Sequence, residues 1–419
     1  MSDPNSRKAG RPKVLHAPMT QFPVVGDCLQ VGGLPLPEVA LQAGRTPFYV
    51  YDRRLLSERV ALLRRHLPAT VQIHYAIKAN PMPEVVRHLR PLVDGLDVAS
   101  SGEITVALES GMSPSEISFA GPGKTDADLA HALSAGIIVN LESEGEMERL
   151  AARARALGTR ARVAVRVNPD FELKSSGMKM GGGPKQFGVD AERVPEMLAR
   201  IGALDLDFQG FHIFSGSQNL RADAIREAQE KSLALAVRLA VDAPAPVRLL
   251  NIGGGLGIPY FPGDEPLDLV AVGEGLARML QGFEQRLPQA QVVLELGRYL
   301  VGEAGLYVCR VVDRKVSRGH VFLVTDGGLH HHLAASGNFG QVVRKNYPVV
   351  VGNRVQGTER EVVSVVGPLC TPLDLLADNM EMARADVGDL IAVYQSGAYG
   401  ATASPTAFLS HPAAAEIIV

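Results

Sequence analysis

Between about residues 47 and 300 one pattern repeats along the chain. A short β-branched run is followed by a longer stretch with apolar residues every three to four positions. Val71–Ile77, Gly95–Val98, Ile117–Phe119, Ile137–Asn140, Arg162–Val167, Phe208–Phe214, Arg248–Ile252 and Val292–Leu296 read as strands. The stretches between them, such as Pro83–Leu92, Asp126–Ser134, Ala222–Val241 and Leu267–Arg286, carry the helical period. Another helix, over Arg53–His66, precedes the first strand. Ser143 stands three before Glu146, a capping-box spacing, and Asp126 can cap its own helix. Eight strands alternating with helices predict a parallel α/β architecture. Over roughly 250 residues they favour a closed (β/α)8 TIM-type barrel over an open doubly wound sheet.

After about Val301 the rhythm changes. Leu306–Arg318, His320–Thr325, Val349–Val351, Glu361–Val366 and Asp389–Tyr394 read as short strands joined by Gly/Pro turns, with a helix expected only at Asp374–Met382. The expected organisation is a barrel over 47–300 and an all-β barrel or sandwich over 301–419, joined by the strand-like Val24–Val31 from residues 1–46.

Composition excludes several function classes. The formal net charge is −3, so no bulk positive field exists to hold nucleic acid or an anionic membrane. The basic cluster Arg7–Lys13 reads as a solvated tail. No window of about 20 apolar residues predicts a membrane span. The polar start of the chain has no secretory character. Three widely spaced cysteines (Cys28, Cys309, Cys370) form neither a disulfide framework nor zinc-ligand spacing, and a reducing cytoplasm is the expected home. His330-His331-His332 invites a metal reading, but adjacent residues on an extended chain alternate sides, so no metal is expected there.

The chemistry-capable residues cluster just after the strands, and in a closed barrel these ends share one face. Lys78 follows the first strand, Asp97 and Ser100 the second, and Arg166 with Asn168 the fifth. Ser217 follows the sixth, Gly253, Gly254 and Gly255 the seventh, and Glu295 with Arg298 the eighth. A lysine in the apolar frame His74-Tyr75-Ala76-Ile77-Lys78 points into the mouth, where a partly desolvated amine can form a Schiff base. From position alone a surface or ion-paired lysine reads the same way. The glycine run lets backbone N–H groups approach a phosphate, or makes a tight turn; Arg298 can pair the same phosphate. Glu295 suits a protonated heterocyclic nitrogen, or an internal ion pair with Arg298 or Arg166.

Further motifs complete the pattern: Tyr75-Ala76-Ile77-Lys78-Ala79-Asn80, Leu96-Asp97-Val98-Ala99-Ser100, Gly216-Ser217-Gln218, Glu295-Leu296-Gly297-Arg298, Gly367-Pro368-Leu369-Cys370 and Gly397-Ala398-Tyr399-Gly400. In this order the chain, from about Thr46 to Thr406, resembles the fold-type-III pyridoxal-phosphate decarboxylases, which include diaminopimelate, ornithine and arginine decarboxylases. The resemblance implies pyridoxal 5'-phosphate as cofactor, with Lys78 attached to it and Glu295 on its ring nitrogen. It implies that Ser217, Gly253, Gly254, Gly255, Arg298 and Tyr399 hold the phosphate, and that Asp97 and Arg166 order the surroundings. It also implies a head-to-tail homodimer with shared sites, to which the partner brings Cys370, the proton carrier, and Asp326.

Three departures stand out. Phe214 occupies the place where the family has a histidine stacked on the cofactor ring, while His212 lies two residues earlier on the same strand face. Thr371-Pro372 follows Cys370 where diaminopimelate enzymes have a glutamate that helps bind the distal amino acid end. Leu296 replaces a proline. Free meso-diaminopimelate is then expected to be a poor substrate unless Arg344 restores distal recognition.

The glycine-rich loop Lys174–Gly188 reads as a mobile loop over the mouth, with Lys174, Lys179 and Lys185 meeting a carboxylate or a phosphopantetheine arm, or equally as a merely solvated loop. With Asn168–Glu172 and Gly337–Gly340 it resembles a sub-branch associated with polysaccharide–exosortase systems, similar to decarboxylases of an aminoacyl group on an acyl-carrier protein. The expected function is α-decarboxylation of an amino acid or carrier-bound aminoacyl group. Rival readings are plain meso-diaminopimelate decarboxylation to lysine, an alanine-racemase-like enzyme, and a non-catalytic regulator related to these decarboxylases. A racemase places arginine at the ring nitrogen, against Glu295.

Overall fold

The computed structural model describes residues 15–172, 178–179 and 181–419. The basic cluster 7–13 and much of the expected lysine-bearing loop, including Lys174, lie outside the described residues.

Eight parallel strands close on themselves: Gln72–Ala76, Gly95–Val98, Ile117–Phe119, Ile138–Leu141, Arg162–Asn168, Asp207–Ile213, Leu249–Gly254 and Gln291–Leu296. Each pairs with its sequence neighbour, and the eighth returns to the first through Leu296 opposite Tyr75. They are numbered one to eight below. Between them run the helices the periodicity predicts. Asp52 starts Arg53–His66 by accepting from the N–H groups of Arg54 and Leu55, and Ser143 accepts from Glu146 N–H at 3.2 Å. The helix at Asp126 is capped by Thr125, not by Asp126. Thr125 and Asp128 exchange backbone and side-chain bonds in a full capping box.

The barrel interior is apolar except for one layer. Each strand contributes at least one buried polar residue: His74, Asp97, Ser118, Asn140, Arg166, His212, Asn251 and Glu295, with Asn168 and Gln209 buried on strands five and six as well. Asn140 donates to Ser118 Oγ at 3.1 Å, Ser118 donates to Asp97, and His74 Nδ1 stands 3.6 Å from Asp97. Gly95 has no side chain because a Cβ there would lie 2.5 Å from the His74 ring.

The C-terminal residues form a β domain ordered Val349–Val351, Leu390–Val393, Gly305–Ser317, His320–Thr325, Arg360–Val366, Leu375–Ala383. The expected helix at Asp374–Met382 is a strand instead, paired antiparallel with Arg360–Val366. Its apolar residues meet the core of a sheet, and periodicity over so short a run does not separate the two states. Phe48–Tyr51, which falls inside the expected barrel segment, pairs with Gly305–Val308 of this domain, and Ala415–Ile418 pairs with its other edge. Val24–Val25, Cys28–Val31 and Leu34–Pro35 make a small sheet of their own. It packs on the β domain through a shared core with Leu306, Val308 and Leu390, and Leu29 N–H bonds Gly352. Among the described residues no helix is long and apolar enough to cross a membrane.

Asp374 ties two loops of the β domain together. Its buried carboxylate accepts from Leu329 N–H at 2.6 Å and from Leu369 N–H at 2.8 Å. Asp374→Ala leaves both donors buried and unpaired, at about 1–3 kcal/mol each. We expect a loss of roughly 2–4 kcal/mol in denaturant unfolding, with Asp374→Asn intermediate. Wild-type stability of the alanine variant would refute this.

Candidate active site

Lys78 sits in a single 3-10 turn, Ile77–Ala79, directly after strand one. That turn lifts the side chain off the strand and aims it across the mouth. Its Nζ lies 3.4 Å from Glu295 Oε1, at the end of strand eight, and 5.8 Å from the Phe214 ring centroid. The side chain remains 44% exposed, so the amine stands in an open cavity and not in the packed core. Desolvation pulls the ammonium pKa down, but the Glu295 carboxylate, with Tyr399, outweighs it and leaves Lys78 raised.

Glu295 is buried. Burial pushes its carboxyl pKa up, yet Lys78, His212 and Arg166 hold it well below the usual carboxylate range. His212 Nε2 stands 3.0 Å from Oε2, and Asn251 Nδ2 donates to the same oxygen at 3.5 Å. The ion pairs from Glu295 to Arg298 or Arg166 weighed from sequence are not formed. Arg166 pairs with Glu142 at 2.8 Å, and Arg298 donates to Tyr260 OH at 2.8 Å. Glu142 also accepts from Gly121 and Gly188 N–H groups, and Arg166 holds its carboxyl down against the desolvation that raises it. A second buried pair, Lys124 with Glu146 at 3.0 Å, lies beside it.

The glycine run is stripped of side chains because neighbours come too close. A Cβ on Gly254 would lie 2.2 Å from Glu295 O, and one on Gly255 2.5 Å from Gly216 O; Gly253 and Gly255 also have φ of +71°. Ser217, Gly255, Arg298 and Tyr399 line one cavity of about 280 Å³ with Lys78, Phe214 and Glu295. The Arg298 guanidinium lies 4.7 Å from the Tyr399 ring and 5.3 Å from that of Tyr260. Tyr399 arrives from the β domain with φ of +55°, and its N–H bonds Ala79 O at 2.8 Å. The backbone of Met178–Lys179 pairs with Gly216–Ser217, bringing the expected loop to the cradle's edge. A side-chain-free phosphate cradle, a lysine and an ionised carboxylate in one cavity form a donor set that fits pyridoxal phosphate.

The predicted residues do not all converge. Asp97 lies in the buried polar layer, bonded to Ser118. Cys370 is exposed, and neither it, Thr371, Asp326 nor Arg344 lines the Lys78 cavity of its own chain. Asp326 accepts from Arg310 N–H and from the Thr46 hydroxyl. Thr371 Oγ1 accepts from Leu373 N–H. Arg344 donates to Ser336 O, Asn346 Oδ1 and Leu375 O, so three of its donors are committed at home. The three adjacent histidines sit in a turn and are buried, with His332 Nε2 2.9 Å from Ser396 Oγ. Sequence reasoning missed Tyr260, which grips Arg298, and Phe339, which lines the cavity. The tyrosine five residues beyond Gly255, at the end of a glycine-rich turn, was the available signal.

Comparison with known proteins agrees with this geometry. Residues 53–302 match the pyridoxal binding domain of pyridoxal-dependent decarboxylases. The chain is 36% identical over 379 residues to the L-glutamyl-[BtrI acyl-carrier protein] decarboxylase of Niallia circulans, covering 89% of this chain and 88% of that one. It is 34% identical to the diaminopimelate decarboxylase of Aquifex aeolicus, over 93% and 90%. The crystal structure of Helicobacter pylori diaminopimelate decarboxylase with L-lysine superposes with a TM-score of 0.80 at 27% identity, over 91% and 94%. A barrel mouth built around Lys78 and Glu295, carried on this fold, is therefore that of a pyridoxal-phosphate-dependent carboxy-lyase: the chain belongs to the pyridoxal-dependent decarboxylases.

Proposed function

We propose that this protein removes the α-carboxylate of an amino acid whose distal end is carried on an acyl-carrier protein. The observation that carries the chemistry is the Lys78–Glu295 pair at 3.4 Å beside the glycine cradle. The observation that favours a carrier-linked substrate is Thr371, where diaminopimelate enzymes place a carboxylate, together with the likeness to a carrier-protein decarboxylase.

Pyridoxal phosphate, when bound, would supply the electron sink for the pair left on the α-carbon as carbon dioxide departs. Lys78 would hold it through its amine, and Ser217, Arg298, Tyr399 and the 253–255 backbone through its phosphate. Glu295 stays ionised because cationic neighbours surround it, and so keeps a proton on a heterocyclic nitrogen facing it. His212 and Asn251 fix its second oxygen. Phe214 offers an apolar face beside Lys78 but no hydrogen bond. Asp97 and Arg166 brace the layer beneath. In a head-to-tail homodimer the exposed Cys370 would return a proton to the α-carbon of the neighbouring site, with Thr371 and Asp326 beside it. Arg344 has a weaker case, since its own chain already uses its donors. The free cysteines suit a cytoplasmic setting. Plain diaminopimelate decarboxylation is the second reading, favoured by the Aquifex likeness. A non-catalytic regulator would have no use for the ionised Glu295 facing Lys78.

Three measurements test this. Glu295→Gln should keep cofactor bound but lower kcat about tenfold to a hundredfold, since a charge-assisted bond is worth about 1.5–3 kcal/mol; unchanged turnover removes Glu295 from the chemistry. Gly255→Ala forces a Cβ against Gly216 O at positive φ, a strain of about 1–3 kcal/mol. It should weaken pyridoxal phosphate binding roughly tenfold in an absorbance titration, and wild-type affinity would sink the cradle. Carbon dioxide release should be faster from carrier-bound glutamate than from free diaminopimelate, ornithine, arginine or lysine. A kcat/KM of about 10⁴ M⁻¹s⁻¹ or more for diaminopimelate would establish the second reading instead.

A further inference from the structure

Against the glycine cradle lies a second and much smaller cavity of about 20 Å³, which shares Gly255 but not Lys78 with the larger one. Ser215, Gly216, Asn219, Gln229, Gly254 and Gly255 line it, with the apolar Ile225, Ala228 and Ile252. Gln229 belongs to the helix Ala222–Leu239, on the buried stripe that also carries Ile225, Leu233 and Ala236. An apolar side chain is the ordinary choice at such a position. Gln229 is 3% exposed, and neither its amide nitrogen nor its amide oxygen has a hydrogen-bond partner among the described residues. A buried primary amide brings two donors and an acceptor, and native proteins satisfy such groups.

The space has the right size and lining. One water needs roughly 10–15 Å³ and two to four polar partners. The cavity offers the Gln229 amide, the buried Ser215 and Asn219, and the backbone of the cradle itself. Asn219 is already stitched to that backbone: its N–H donates to Gly255 O at 2.9 Å, and Gly257 N–H donates to its carbonyl at 2.9 Å. A water held by Gln229 would continue this stitching from the helix to the loop.

We propose that this cavity holds one internal water, and that Gln229 acts through it as a positioning residue for the 253–255 cradle. The inference rests on the reading that this cradle grips the cofactor's phosphate. Glycines are needed there for clearance, but they also leave the loop free to adopt other conformations. A fixed water against the loop removes that freedom without adding a side chain to it.

The test uses the full-length chain freed of cofactor and titrated with pyridoxal phosphate or with pyridoxal, which lacks the phosphate. Gln229→Met keeps volume and helix propensity but cannot hold the water. It should weaken pyridoxal phosphate about tenfold while pyridoxal changes less than about twofold. Ser232→Ala, which removes a buried unpartnered hydroxyl on the same helix outside the cavity lining, should leave that ratio unchanged. A high-resolution crystal structure of the wild type should show a water within hydrogen-bonding distance of the Gln229 amide. A dry cavity, equal weakening of both ligands, or an unchanged ratio in Gln229→Met would each overturn the proposal. If Gln229→Met fails to fold, the crystal structure decides alone. Failure of the phosphate-grip reading is separate: it would appear as wild-type cofactor affinity in Gly255→Ala.

Discussion

A carboxylate that stays ionised inside a protein must be surrounded by compensating charge, and Glu295 imposes that condition on the whole barrel mouth. Lys78 from strand one and Arg166 from strand five supply positive charge, and His212 from strand six stands 3.0 Å from the carboxylate. Those strands stand at different stations around the ring, so the field requires barrel closure. The polar layer follows from the same demand. Asn251 and His212 meet Glu295 directly, Arg166 meets Glu142, and Asn140, Ser118, Asp97 and His74 form a polar run of their own on the neighbouring strands. Their neighbours along the strands, Tyr75, Leu96, Val165 and Leu294, point to the opposite face of the sheet and are fully enclosed there.

The mouth is also where the two parts of the chain meet. Tyr399 N–H bonds Ala79 O, Asn80 Nδ2 bonds Gly397 O at 3.1 Å, and Gln395 Nε2 bonds Pro259 O at 2.8 Å. Gly397 can carry no side chain, since a Cβ would lie 1.8 Å from Val301 O. These contacts flank Lys78 and Arg298, so the β domain forms one wall of the site. The strand Phe48–Tyr51 strengthens the union: it belongs to the β domain by pairing but runs straight into the first barrel helix. The two parts of the chain therefore cannot separate at the mouth without breaking these hydrogen bonds.

What sequence revealed and what it hid divide along physical lines. Lys78, Arg166 and Glu295 were legible because each is a charge at the end of an apolar run, and a barrel gathers such ends on one face. The close backbone approach at Gly253–Gly255 was legible because successive glycines after a strand mark a turn or a place with no room for side chains. The strand at Leu375–Ala383 was hidden because its residues suit a short helix as well as a sheet. The polar layer was hidden too: His74 or Asn140 is a lone polar residue in an apolar strand, and its meaning appears only when eight registers align. The partnership of Arg298 with Tyr260, not Glu295, depends on side-chain direction, which spacing does not encode. Phe48–Tyr51 was assigned by proximity to the barrel, whereas its partner strand lies over 250 residues away in the chain.

The site's two halves are built differently, and this bears on how one chemistry serves several substrates. The half around Lys78, Glu295 and the cradle stands on strand ends, buried and cross-bonded. The other half is made of loops: Phe339 reaches the cavity from a segment in which Val342 and Val343 are exposed, and in the proposed dimer the partner would add the loop that carries Cys370 and Thr371, fixed by Asp374. Changes on strand ends disturb the buried charge balance and are paid in both stability and catalysis. Changes at Phe339 or Thr371 fall on loops outside that buried network. A family with this construction can diverge in substrate while its cofactor side stays constant, and the likeness of this chain to both carrier-protein and diaminopimelate decarboxylases is what such a division of labour produces.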